Sequence, residues 1–203
     1  MNKNGLKFIY DTQSITRGGK ELYRIIAFRD IQTIGPTIKK GQIGGYVRPG
    51  TLSQDGNCWV CEGSIVEEGV YITGDALVSG RSTLKGDVYL ANTAFVNRAT
   101  LTATEGRRIA LCAAAKVVNS EITGGANLSG DAFIIGSAID GFVEMQDDAE
   151  IRASKIKVPK GHKISFVNDQ KCELKDVEGK GPWTNQDNMK ITSLDLYTRE
   201  PIK

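Results

Sequence analysis

With 203 residues, 40% of them hydrophobic and 25% charged, the chain holds material for one sizeable core, too little for two large domains, and no signature of wholesale disorder. The net charge of +2 hides three unequal parts: nine Lys/Arg against three Asp/Glu in residues 1–50, seven against fourteen in 51–154, and ten against seven in 155–203. A net acidic middle repels a phosphate backbone and so disfavours nucleic-acid binding along it.

No apolar run approaches the length that spans a bilayer; stretches such as Ile109 to Ala115 are far too short. The opening Met1-Asn2-Lys3-Asn4-Gly5 is followed by no apolar signal region, so a cytoplasmic protein is expected.

In chain order, the first elements are two strand-like runs, Leu6 to Tyr10 and Glu21 to Phe28. Arg17-Gly18-Gly19-Lys20 separates them, which reads as a β-hairpin. The segment Lys39 to Val47, with Gly44-Gly45-Tyr46-Val47, leads onward to a repeat.

Written in sixes, residues 57–98 give seven rows, each with an aliphatic residue in one column: Val60, Val66, Ile72, Val78, Leu84, Leu90 and Val96. Two places earlier stands a small or β-branched residue: Cys58, Ser64, Val70, Ala76, Ser82, Val88 and Ala94. Residues two apart on a strand face the same way, so each pair points inward and the residue between points out. A unit of six residues cannot bury its own apolar side, but coils stacked on one another can. The period of six with an alternation of two excludes a helix. The expected fold is all-β, a single-stranded parallel β-helix. Its intervening positions Trp59, Ile65, Tyr71, Leu77, Tyr89 and Phe95 should face outward and be partly covered by terminal segments or another subunit.

The phase then slips. Thr100 holds the small column, but Thr102 stands where an aliphatic is expected. Residues 103–119 read as an irregular coil or as a loop leaving the solenoid, where function often resides. The pattern returns at Ser120/Ile122, Ala126/Leu128 and Ala132/Ile134, degrades near Asp140, and reappears at Ala149/Ile151.

The resulting layout is a hairpin cap and entry segment at 1–50, a solenoid at 51–158 and a non-repeat C-terminal segment at 159–203. In the last, Ile164 to Val167 and Ile191 to Tyr197 are candidate strands and Glu178 to Pro182 a loop. A solenoid exposes unpaired edges at its terminus, and the hairpin is assigned the task of covering one.

Cys58 and Cys61 form a Cys-x-x-Cys pair, but no second pair exists to complete a zinc site and the only histidine is His162. The repeat gives both cysteines an ordinary place, and no metal is expected.

The hexad pattern resembles the hexapeptide-repeat proteins, left-handed parallel β-helices of triangular section with three rows to a coil. The left hand follows from that resemblance alone. The entry segment, with Lys40-Gly41, Gly44-Gly45-Tyr46-Val47 and Leu52-Ser53-Gln54-Asp55-Gly56-Asn57-Cys58-Trp59-Val60, is similar to that of the YdcK-like bacterial and prophage proteins. Tyr46 stands where those proteins are expected to carry Trp. The likeness covers roughly residues 5–100. It implies a phage or mobile-element origin and brings no catalytic residues with it.

Three functions are weighed. Many hexapeptide-repeat proteins are acyl-coenzyme A acyltransferases with a histidine base beside a coil, near a subunit boundary. Here His162 lies past the repeats in Pro159-Lys-Gly-His-Lys163 and reads as incidental. Arg107 and Arg108 would hold coenzyme phosphates or be a solvated pair. Acetyl-coenzyme A belongs to that alternative only; otherwise no cofactor is expected.

The preferred reading is a non-catalytic scaffold that presents Trp59, Tyr71, Tyr89 and Phe95 to a protein partner or to a second copy, as a homo-oligomer. A phage anti-defence protein that binds a host factor or a nucleotide signal is the third. No phosphate-binding glycine loop or nucleophile elbow is present.

Overall fold

The computed structural model describes residues 5–147, 149–152, 155–157, 164–166, 171–172, 177–178 and 183–185. Among them the protein is an all-β solenoid of about 6 turns, with no helix long and apolar enough to cross a membrane.

Strand β1 (Phe8–Arg17) and strand β2 (Lys20–Ala27) form the expected hairpin, closed by Gly18 and Gly19 at φ 53 and 73. Two successive left-handed residues make the turn whose twist suits a hairpin. A second, smaller hairpin follows, β3 (Ile31–Gln32) with β4 (Thr37–Ile38). Then β5 (Ile43–Val47) pairs antiparallel with β2 on one side and parallel with Ile65–Val66 on the other. The first hairpin therefore covers the open edge of the first coil, as a solenoid end requires.

From there the chain winds through three faces. The first face stacks Val47, Val66, Leu84, Leu101, Ile122, Ile139 and Ile156 in parallel register. The second stacks Ile72, Leu90, Leu111, Leu128 and Met145, and the third Val60, Val78, Val96, Val117, Ile134 and Ile151. Every one of these residues is essentially fully buried. Backbone hydrogen bonds run from coil to coil, as in Cys61 N–H to Val78 O at 2.8 Å and Asp75 N–H to Asn92 O at 2.8 Å. Each coil thus depends on its two neighbours, and apolar burial along the shaft supplies the driving force.

The column two places before each aliphatic divides by face. It reads Ser64, Ser82, Ala99, Ser120 and Ser137 on the first face, and Val70, Val88, Ile109, Ala126 and Val143 on the second. On the third it reads Cys58, Ala76, Ala94, Ala115, Ala132 and Ala149. Two hydroxyls of the first-face column accept from the next coil's backbone: Ala99 N–H donates to Ser82 Oγ at 3.1 Å and Ser137 N–H to Ser120 Oγ at 3.2 Å, whereas Ser64 Oγ has no partner among the described residues. A buried hydroxyl that accepts in this way is satisfied.

The phase slip has a local cause. First-face partners advance by 18 residues from Val66 to Leu84, but by 17 from Leu84 to Leu101. The corner before the first face shortens by one residue, from Gly80 and Arg81 (φ 68 and 65) to Arg98 alone (φ 50). Later coils repeat the short corner at Asn119 (φ 51) and Gly136 (φ 57). The inward pair is accordingly Ala99/Leu101, not Thr100 with Thr102, and Thr100 is exposed.

Residues 103–119 are coil for the most part, with Ile109, Leu111, Ala115 and Val117 fully buried. Only Thr104 to Arg107 are extra; they bulge between the first and second faces, and the coil lengthens to 21 residues between Leu101 and Ile122.

Past residue 158 the described strands continue the stacks: Val143 pairs with Ile164, Ile151 with Cys172, Ile156 with Val177 and Ile164 with Trp183. Solenoid pairing therefore extends beyond the boundary read from the sequence. The candidate strand at Ile191 to Tyr197 and the loop at 179–182 lie outside the described residues.

Candidate interaction surface

Parallel register places equivalent residues of successive coils directly beside one another, so two outward aromatics one coil apart must meet. Tyr89 is the partner of Tyr71 on the second face, and their rings stack with centroids 6.2 Å apart and planes inclined by 13°. This is an offset-stacked arrangement. Tyr71 is among the five most exposed large apolar side chains described, and Tyr89 is half-buried. The next positions in the row are Ala110 and Asn127, so the aromatic ladder is two rungs high.

The other outward aromatics behave differently. Trp59 points out of its coil as expected but is not a surface residue: its exposure is 0%. The entry segment lies on it so tightly that a Cβ on Gly44 would fall 2.7 Å from Trp59 and 2.6 Å from Ile25. Leu77, next in that row, is covered in the same way by Gly35. Phe95 follows on the third face, half-buried against the core. The interaction surface read from the sequence is thus divided: Tyr71 and Tyr89 share one face, Phe95 lies on another, and Trp59 is removed from it.

Beside the tyrosine ladder stands the four-residue bulge. Its turn is closed by Arg107 N–H to Thr104 O at 3.0 Å, and Gly106 takes φ 72. Between this loop and the preceding corner lies an open recess of about 540 Å³, lined by Gly86, Asp87 and residues 103–108.

The two arginines diverge. Arg108 Nε donates to both oxygens of Asp87, at 2.9 and 3.0 Å, and that hydrogen bond and charge raise the guanidinium pKa, with a smaller contribution from Tyr89. Arg107 lies 5.7 Å from the ring centroid of Phe142, a cation–π distance. Asp87 and Glu105 balance the two positive charges around the recess. Asp87 engages only the Nε of Arg108, and its carboxylate would repel a phosphate entering the recess. His162 lies outside the described residues.

One pair was not foreseen. Lys7, just before β1, is fully buried, and its Nζ lies 2.9 Å from Cys58 Sγ and 3.2 Å from Asp55 O. Gln54 fixes the approach, its Oε1 accepting from Lys7 N–H at 2.9 Å and its Nε2 donating to Phe8 O at 3.1 Å. Burial lowers the Lys7 pKa and raises that of Cys58, each opposed by the partner's charge. Cys58, Cys61 and Cys112 are free thiols. No sequence signal marks the pair, because its members are 51 residues apart and belong to different elements.

The sign of the Lys7 shift fixes a pH dependence. The folded chain releases this proton below the ordinary lysine value of 10.5, so the stabilising contribution is complete above 10.5 and is lost as pH falls through the folded value. In a Cys58→Ala background, where no thiol titrates beside it, Lys7→Met is expected to raise the thermal midpoint at neutral pH. That gain should shrink as pH approaches and passes 10.5. Thermal melts of both variants across this range check the sign.

No protein-family model matches the chain, and no curated protein matches it.

Proposed function

We propose that the protein is a non-catalytic β-helical scaffold that acts by pairing with a second copy of itself through the face carrying Tyr71 and Tyr89. The observation that carries this reading is the stacked tyrosine pair, Tyr71 exposed and Tyr89 half-buried, beside a recess whose arginines already have partners within the chain. The charge distribution supports self-pairing: residues 1–50 have a surplus of six positive charges and residues 51–154 a surplus of seven negative ones. A side-by-side arrangement of opposite polarity sets the basic cap of each copy against the acidic shaft of the other. The finer reading is a left-handed hexapeptide-repeat coil, related to the YdcK-like proteins, cytoplasmic, and of phage or prophage origin.

Sedimentation velocity tests the pairing. A dimer is expected at low salt, weakening at about 0.5 M salt as screening shortens the reach of the charges, and reverting to monomer in Tyr71→Glu with Tyr89→Glu. A wild-type chain that stays monomeric at high micromolar concentration and low salt overturns the reading.

The recess favours one alternative, an acyl-coenzyme A acyltransferase with phosphates on Arg107 and Arg108. A ligand at about one hundred times its dissociation constant adds roughly 2.7 kcal/mol of stability. A melting shift with acetyl-coenzyme A that disappears in Arg107→Ala with Arg108→Ala would move the assignment to that enzyme.

A further inference from the structure

On the third face, every described coil after the first places alanine in the small column: Ala76, Ala94, Ala115, Ala132 and Ala149, all buried. The first coil has Cys58 instead, and this is the coil that Lys7 reaches. The replacement of a methyl by a thiol therefore coincides, among the described residues, with the place where the Lys7 amine meets the column. Cys58 Sγ also lies near the carbonyls of Ile72, Ser53 and Asp55, at 3.6, 3.8 and 3.8 Å.

Among the described residues the Lys7 amine makes no hydrogen bond to a carboxylate; its partners are a backbone carbonyl and the sulfur. Burial shifts Lys7 toward the neutral amine, against the charges of Cys58 and Asp55, and it is the neutral form that carries a lone pair for bonding. The sulfur packs against carbonyls of the turn at Ser53 to Gly56, and Asp55 and Gly56 within that turn are exposed.

We infer that Lys7 and Cys58 form a covalent modification site, at which peroxide oxidises Cys58 and Lys7 Nζ then bonds to Cys58 Sγ. In the first step an S–O bond forms, the O–O bond of hydrogen peroxide breaks, and the thiol proton leaves in water, giving a sulfenic acid. In the second, the amine lone pair attacks sulfur, the S–O bond breaks, and hydroxide departs with an amine proton as a second water. One peroxide is reduced to two waters, the thiol loses two electrons, and the chain loses two hydrogens. The product ties the hairpin cap to the first coil, joining positions 51 apart in sequence.

The test treats the full chain, as Cys61→Ser so that no 58–61 disulfide forms, with millimolar hydrogen peroxide. The expected product is lighter by about 2 Da, resists tryptic cleavage after Lys7, and yields one cross-linked peptide holding residues 7 and 58. Dithiothreitol should restore the starting mass, and the cross-linked form should melt several degrees higher. In Lys7→Met the sulfenic acid has no amine to meet, so Cys58 should gain about 16 and then about 32 Da instead. Cys58→Ala keeps the residue type of the other coils, preserves the fold, and should give neither product. Three results overturn the inference. Cys58 gains oxygen in the wild-type pair while Lys7 still acetylates; Cys58 remains unmodified while Cys112 oxidises; or the 2 Da loss maps to a disulfide.

Discussion

Trp59→Ala is expected to destabilise the protein by about 3–5 kcal/mol, the range for truncating a large aromatic in a close-packed core. Trp59 lies between two layers, the first coil beneath it and Gly44 with Ile25 above it, so its removal leaves a void that neither layer closes alone. At a few degrees per kcal/mol in a chain of this size, the thermal midpoint should fall by on the order of 10 °C. Two comparisons sharpen the result. Tyr71→Ala alters an exposed ring and should stay within about 0.5 kcal/mol. Trp59→Phe should cost much less than the alanine change, because it keeps a ring in place and removes an indole N–H with no acceptor among the described residues. If Trp59→Ala and Tyr71→Ala melt together, the cap is not seated on this residue as described.

Gly124→Ala is the second large expected effect. Gly124 has φ +119, outside the left-handed well that other residues visit, and a Cβ there would stand 2.2 Å from Gly141 O. The conformation alone costs about 1–3 kcal/mol for an L side chain. The obstructing atom is backbone of the next coil, so relief requires moving that coil, at about 1–3 kcal/mol more. Gly106→Ala is the control: φ is +72 and no atom lies within 4 Å of the added methyl, so about 1–2 kcal/mol is expected. Hydrogen exchange should show the Gly124 effect concentrated in the coils from 121 onward, since each coil is held by its neighbours. Equal losses for Gly124→Ala and Gly106→Ala would mean that the corners are not stacked this closely.

The inward columns were legible because a solenoid repeats one physical demand, an aliphatic residue at a fixed angular position, many times over. Val60, Val66 and Ile72 could be aligned without knowing that they belong to three different faces. The division of the small column into serine, valine and alanine was equally present in the letters, but it has meaning only once rows are counted in threes. The slip after Val96 was visible and its cause was not: Arg98 and Asn119 turn the corner in the left-handed region without glycine, so the missing residue leaves no mark. Trp59 was rightly read as pointing out of its coil. What covers it is the entry segment, a contact that periodicity says nothing about. The same holds for the candidate surface, where Tyr71 and Tyr89 follow from the repeat while the Arg108–Asp87 pair depends on where a four-residue bulge bends back.

The cap has a bearing on polymerisation. A stack of parallel coils is in principle open-ended, since its last rung offers the same hydrogen-bonding pattern to a further coil from another molecule, and head-to-tail addition would yield a filament. Here β2 reverses the strand direction at the first coil, and the outermost strand β1 carries a register shift between Tyr10 and Ser14. Donors and acceptors along that edge no longer recur at the spacing an incoming coil needs. End-on addition of a coil at this end is therefore blocked by the chain itself, which leaves side-by-side contacts as the way for copies to associate there.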